Sequence, residues 1–183
     1  MKNLNYYSLG YFKKIYFALQ SLNLVHFQNF LMLLLSVKKK NKKVILVGNG
    51  GSAAMCSHVS VDLTKQCNIR AINFNEADLI TCFANDYGHE NWIQKAIEKY
   101  HDTGDLIILI SSSGNSKNHL VAAKYCIKKK LKLITFTGFS GVNLLSKLGN
   151  VNFYINSKNY NQIEMVHHIW LLLACDYLTK TKF

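Results

Sequence analysis

The reading of the fold turns on VILVGNGGSAAMCSHVSVDL, Val44 to Leu63. Four apolar β-formers run without alternation to Gly48, and further glycines follow at positions 50 and 51. A strand that reads as a continuous apolar run is buried on both faces, as in a parallel sheet covered by helices. Ser52 then opens a segment of helical character carrying His58 and Asp62, four residues apart and so on one helix face. A strand ending on Gly-Asn-Gly-Gly-Ser before a helix brings flexible backbone and a hydroxyl to whatever lies beyond the sheet.

The same grammar repeats outward. Short β-rich runs occur at Lys43 to Val47, Ala71 to Phe74, Leu106 to Ile110, Leu133 to Phe136 and Val151 to Ile155. Between them lie helix-compatible stretches: Ser52 to Cys67, Ala77 to Ala84 with Trp92 to Tyr100, Ser116 to Lys130, and Val142 to Leu148. Strand alternating with helix predicts an α/β protein, a doubly wound parallel sheet with helices on both faces. Upstream, Leu4, Tyr7, Tyr11, Ile15 and Leu19, then Leu24, Phe27, Phe30, Leu31 and Leu34, recur at helical spacing and predict two helices joined near Ser21 to Asn23. A last apolar helix is expected over Gln162 to Leu178. No composition break or internal repeat divides the chain, so one domain is expected over 1–183: two N-terminal helices within 1–40, then an α/β core with its closing helix over 43–178.

A composition of 49% hydrophobic and 17% charged residues fits a folded domain and excludes disorder. The net charge of +12 favours acidic or phosphorylated partners. Its lysines fall in short runs, Lys38 to Lys40 and Lys128 to Lys130, which read as solvated helix ends, and no nucleic-acid motif accompanies them. Nucleic acid is therefore not expected as a partner. The five cysteines, Cys56, Cys67, Cys82, Cys126 and Cys175, are scattered without a C-x-x-C pair, which argues against a disulfide framework or a thiolate zinc site and for a reducing cytoplasm. The longest strongly apolar run, Phe30 to Leu35, is far short of the ~20 residues that cross a bilayer. Met1 to Gln20 is interrupted by Lys13 and Lys14 and lacks a small-residue cleavage site, so neither a membrane segment nor a signal peptide is expected.

In a doubly wound sheet, ligands bind beyond the carboxyl ends of the strands. There the chain places GNGGS (Gly48 to Ser52), SSSGNS (Ser111 to Ser116) and TGFSG (Thr137 to Gly141). SSSGNS puts four hydroxyls at a strand-to-helix junction, where the N–H groups of a helix start favour phosphate and serine hydroxyls add neutral donors. The alternative is a serine-rich turn with Ser116 as a plain N-cap. Neither loop has the spacing of a nucleoside-triphosphate loop or of a dinucleotide fingerprint.

Taken in order, GNGGS, ANDYG (Ala84 to Gly88), ISSSGNS and LITFTG resemble the sugar isomerase (SIS) domain, and within it the sedoheptulose 7-phosphate (phosphoheptose) isomerase group. The resemblance covers nearly the whole chain. It implies a five-stranded parallel sheet flanked by helices, and a homotetramer with sites at subunit interfaces. It implies a phosphorylated sugar as ligand, read by Asn49, Gly50, Gly51 and Ser52, by Asn85 and Asp86, and by a phosphate loop of Ser111, Ser112, Ser113 and Ser116.

The family's acid–base or metal cluster falls on His58, on Asp62 in place of a glutamate, on Glu164 in place of a glutamine, and on Leu172 in place of a histidine. Leucine neither transfers a proton nor binds metal. His168 lies four residues after Glu164, on the same helical face, about 6 Å along the axis from the family's position. His167 matches a histidine of the family pattern and reads as structural. The resemblance makes Asp62, Glu164, His58 and His168 the candidate catalytic residues, and His58, Asp62 and Glu164 the candidate ligands of one zinc ion per subunit.

Two functions follow. One is isomerisation of sedoheptulose 7-phosphate to D-glycero-D-manno-heptose 7-phosphate, for heptose in lipopolysaccharide or capsule. The other is a phosphosugar-binding or regulatory SIS protein without turnover, which the loss of the last-helix histidine favours.

Overall fold

The computed structural model describes residues 3–181. The ends of the expected 1–183 domain, residues 1–2 and 182–183, lie outside the described residues. Two helices, α1 (Leu4–Gln20) and α2 (Leu24–Lys39), precede β1 (Lys43–Gly48) and α3 (Gly51–Lys65). There follow β2 (Arg70–Asn73), α4 (Ala77–Tyr87), α5 (Trp92–Tyr100), β3 (Leu106–Ser111), α6 (Lys117–Lys128), β4 (Lys132–Thr137), β5 (Val151–Tyr154) and α7 (Tyr160–Lys180).

The five strands form one all-parallel sheet in the order β2-β1-β3-β4-β5. The order reverses direction between β1 and β3, which pair from Val44 with Leu106 to Gly48 with Ile110. A crevice opens beyond the carboxyl ends of the strands at such a reversal. GNGGS and SSSGNS are the two segments that leave the sheet there.

The apolar runs lack alternation because each face of the sheet has its own core. Val44 and Leu46 pack with Phe30, Leu34, Met55, Phe136 and Val166, under α2, α3 and α7. Ile45 and Val47 pack with Trp92, Ile93, Ile97 and Ala122, under α5 and α6. α2 begins after Asn23, whose side chain accepts from the His26 amide at 3.0 Å, so the expected break near Ser21 to Asn23 is where the chain turns.

α1 has no buried residue, although at 17 residues it is the longest helix after α7. It is held to the body through Trp170, whose Nε1 donates to the Leu19 carbonyl at 3.2 Å, and it exposes Tyr6, Tyr7, Leu9, Phe12, Tyr16 and Phe17. Among the described residues no single helix is long and apolar enough to cross a membrane. Only α1 and α2 taken together, bent by 67° at their junction, reach that length and apolar character.

One expected helix is not formed. Val142 to Leu148 contains only a single 3-10 turn, Leu145–Lys147. The buried Asn143 side chain competes with helical hydrogen bonding. Its Nδ2 donates to the Ser140 carbonyl at 2.6 Å, and its Oδ1 accepts from the Ser146 amide at 2.9 Å. The segment becomes a buttress instead: the Leu145 amide donates to the Gly114 carbonyl at 2.9 Å, bracing the serine loop from behind.

Candidate active site

The serine loop folds tightly because its own backbone closes it. The Gly114 amide donates to the Ser111 carbonyl at 2.9 Å, and Gly114 takes φ +66°, a left-handed conformation that costs a side-chain-bearing residue more than glycine. A Cβ there would also run into Asn143. Ser111 Oγ and Ser116 Oγ lie 3.1 Å apart, so the N-cap hydroxyl of α6 is turned to the loop rather than to its own helix. Ser112 Oγ is buried and has no hydrogen-bond partner. The first-turn N–H groups of a helix lack intrahelical acceptors and carry partial positive charge.

These groups surround a cavity of about 90 Å³. Ser111, Ser112, Ser113 and Ser116 line it from β3 and α6, Asn49 and Ser52 from the first loop, and Tyr160 and Glu164 from α7. Two of its features escaped the sequence. Tyr160 carries no motif. Asn118 exchanges two hydrogen bonds with Asn49, Nδ2 to Oδ1 at 3.2 Å and Oδ1 from Nδ2 at 3.3 Å, tying the first loop to α6. An asparagine three residues after SGN was the available signal.

Gly51 opens α3 with the Glu164 carboxylate packed directly over it, and a Cβ at position 51 would occupy the space of that carboxylate. Glu164 is therefore held against the first loop, where it also lines the serine-loop cavity. Burial raises its pKa above the ordinary carboxylate range, so it holds its proton more tightly than an exposed glutamate.

Further along the two helices a second group forms. His58 Nε2 faces Asp62 Oδ2 at 3.4 Å, and His58 Nδ1 lies 3.0 Å from His168 Nε2. The consistent tautomers put the His58 proton on Nε2, towards Asp62, while Nδ1 accepts from His168 Nε2–H. Burial first, and then the neighbouring His58, lower the His168 pKa, with Asp62 acting in the opposite sense. Leu172, one turn on, packs against the core. His167 is fully buried against the Thr137 carbonyl at 3.2 Å, its pKa pushed down to about 3 by burial, which suits a structural role.

Not every expected residue joins these groups. Asn85 and Asp86 sit exposed on α4, bonded to one another at 2.9 Å and away from the serine-loop cavity of their own chain. Among the described residues no three His, Cys, Asp or Glu side chains are gathered as metal ligands. As arranged, His58, Asp62 and Glu164 are not one donor set.

The SIS domain family profile matches residues 12–138. Phosphoheptose isomerase of Colwellia psychrerythraea is 32% identical over 149 residues, 77% of this chain and 76% of its own length. Phosphoheptose isomerase of Hamiltonella defensa is 33% identical over 151 residues, 77% of this chain and 73% of its own. Among solved structures, phosphoheptose isomerase from Neisseria gonorrhoeae superposes with a TM-score of 0.87 at 22% identity, covering 98% of this chain and 100% of that one. A phosphoheptose isomerase from Francisella tularensis gives 0.88 at 22% identity, over 99% and 100% of the two chains. The structural likeness is one of fold, and it extends through α1 and α7.

Proposed function

The chain belongs to the SIS domain family, and from that premise we propose that it is a phosphosugar isomerase converting sedoheptulose 7-phosphate to D-glycero-D-manno-heptose 7-phosphate. The sugar assignment rests on the relatives above 30% identity, each a phosphoheptose isomerase. The observation that carries the chemistry is the cavity itself, lined by four serines at a helix start and by Glu164, a carboxylate of raised pKa, with the Ser112 hydroxyl buried and unpartnered.

The phosphate fits this cavity and the sugar does not. At ~30 Å³ per water, 90 Å³ is the space of about three waters, or roughly one phosphoryl group. The carbon chain then runs out past Glu164, towards His58 on α3 and His168 on α7. Aldose–ketose exchange removes a proton from the carbon beside the carbonyl and returns it to the former carbonyl carbon, through an enediol, with no net change in atoms. Glu164 is the base in this reading, held by burial closer to neutrality than an ordinary carboxylate. His168, about 6 Å along α7 from Glu164, stands where a hydroxyl proton must move, and His58 and Asp62 set its tautomer.

The homotetramer belongs to this reading. The aromatic face of α1 is too apolar for solvent, and the cavity is too small to enclose the sugar without a neighbouring chain, which would bring Asn85 and Asp86 to bear. A cytoplasmic location and a role in heptose supply for lipopolysaccharide or capsule are further parts of the proposal; zinc, for which His58, Asp62 and Glu164 are not gathered within one chain, is tested by the metal content of the purified protein.

The second reading, a phosphosugar-binding protein without turnover, is favoured by Leu172, which packs as a core residue where the family pattern has a histidine. One experiment separates the two: incubation with sedoheptulose 7-phosphate, with and without zinc, on a sample whose mass is followed by light scattering. Product formation by a tetramer supports the isomerase. Tight binding with no product replaces it with the binding protein.

A further inference from the structure

The positive charge is not spread evenly. Lys38 to Lys40 end α2, Lys42 and Lys43 enter β1, Lys65 ends α3, Arg70 opens β2, Lys128 to Lys130 end α6 and Lys132 opens β4. All strands of a parallel sheet begin on one side, so these cations share one end of the molecule, opposite the serine loop. The carboxylates at that end are largely committed. Asp105 is buried, accepts from the amides of Lys43 and Asp102 at 2.9 and 2.8 Å, and pairs with Lys43 Nζ at 2.7 Å. Asp102 takes the same Nζ at 2.6 Å, and Glu98 is matched by Lys95 at 3.0 Å. Asp62, in the last turn of α3, is engaged by Gln66 at 2.8 Å and by His58 at 3.4 Å, and Asp176 lies near the end of α7.

A cavity of about 270 Å³ opens in this face. Lys40, Lys130 and Lys132 line it together with Ser36, Thr103 and Asp105, whose carboxylate is fully buried and paired with Lys43. Among the described residues none of the three lysines has an ion pair, and neither hydroxyl has a protein partner. Three unneutralised ammonium groups around one concavity make a focus of positive potential. Lysine presents a compact point charge that suits phosphate oxygens without demanding a fixed bidentate geometry.

We propose that this cavity is a binding site for a polyphosphate chain, separate from the sugar site. Size and chemistry select that ligand. The volume falls just below the ~300–1,000 Å³ of whole small-molecule sites, which suits two or three linked phosphoryl groups with any attached nucleoside left outside. No aromatic side chain lines the cavity, so it lacks the stacking platform with which single-stranded nucleic acid is held. A six-residue strand spans roughly 20 Å, and that is about the separation of the two sites.

The test is calorimetry on the full chain with inorganic tripolyphosphate, ATP and orthophosphate, at low and at physiological salt. Tripolyphosphate should bind more tightly than orthophosphate, and salt should weaken it. Equal affinities for tripolyphosphate and ATP assign recognition to the phosphate chain and support the site; preference for ATP supports it with a nucleotide as the source. Lys40→Glu with Lys132→Glu, both at exposed positions, should weaken tripolyphosphate at least tenfold, while Ser112→Ala should leave it unchanged. A melting curve, and a Lys40→Gln with Lys132→Gln pair, check that any loss is of charge and not of fold. Binding abolished by Ser112→Ala but kept in the lysine variants would put the anion in the sugar site and overturn the proposal. So would no binding, or binding of a DNA duplex that tripolyphosphate fails to displace.

Discussion

Replacing Ser112 by alanine should move stability and affinity in opposite directions. Its side-chain oxygen is buried without a partner, and the residue as a whole is only 5% exposed. An unsatisfied buried hydroxyl costs a free protein ~1–3 kcal/mol, and Ser112→Ala removes that burden while leaving a void of a single oxygen. A net gain of about 1 kcal/mol raises the melting temperature of a domain this size by ~2–4 °C. In the complex the same hydroxyl donates to a phosphate, and a hydrogen bond to a charged group contributes ~1.5–3 kcal/mol. Its loss weakens the phosphosugar by about 10- to 150-fold. Differential scanning fluorimetry without ligand and calorimetry with sedoheptulose 7-phosphate read the two effects on one sample. Ser116→Ala is the control, since it strips the partner from Ser111 Oγ and should lower both quantities. If Ser112→Ala melts below the parent and binds equally well, the hydroxyl is not the waiting donor and the phosphate has been put in the wrong place.

Glu164→Gln keeps shape but not charge, so kcat should fall ~100-fold or more while KM stays level or drops, because a carboxylate next to the phosphate seat repels its ligand. Rapid turnover by this variant would remove Glu164 as the base. Burial raises the Glu164 pKa, so activity should decline on the acid side at a pH above that of an exposed carboxylate, and this limb should vanish from any residual activity of Glu164→Gln. Acid stability has a separate origin: burial depresses His119 to about 4 and His167 to about 3 from an ordinary 6.5. The unfolded chain then takes up protons first, so this stability is complete above about pH 6.5 and is lost as pH falls, by ~2 kcal/mol per histidine between pH 8 and pH 5. Urea midpoints at the two pH values measure it, and a flat profile would contradict the burial of both rings.

The sheet was legible because burial on both faces leaves a plain trace, as in VILV and LIILI, and because each run stops at glycine or serine where the chain must turn. The strands end within one or two residues of their expected limits. Where side chains compete with backbone periodicity, reading failed: Val142 to Leu148 has helical spacing, yet Asn143 fixes a turn there. In the site, local grouping was readable and distant pairing was not. The four serines are contiguous in sequence and line one cavity. His58 and His168 are 110 residues apart and meet only through the packing of α3 on α7. The same packing takes Glu164 to Gly51, although the family motif groups it with His58 and Asp62. Asn85 and Asp86 match their motif yet remain outside the cavity, since motif order in the sequence does not fix distance in space.

The contact of Glu164 with Gly51 makes the identities of two positions conditional on each other. Alanine at position 51 would meet the carboxylate head-on, so the flexible end of the Glu164 side chain must swing away from the first loop to admit it. Single substitutions at either position should therefore mislead about the other, with effects that fail to add in the double variant. Shortening residue 164 first opens the space that a Cβ at 51 needs, whereas the reverse order displaces the carboxylate, so the order in which the two positions change decides whether the carboxylate keeps its place.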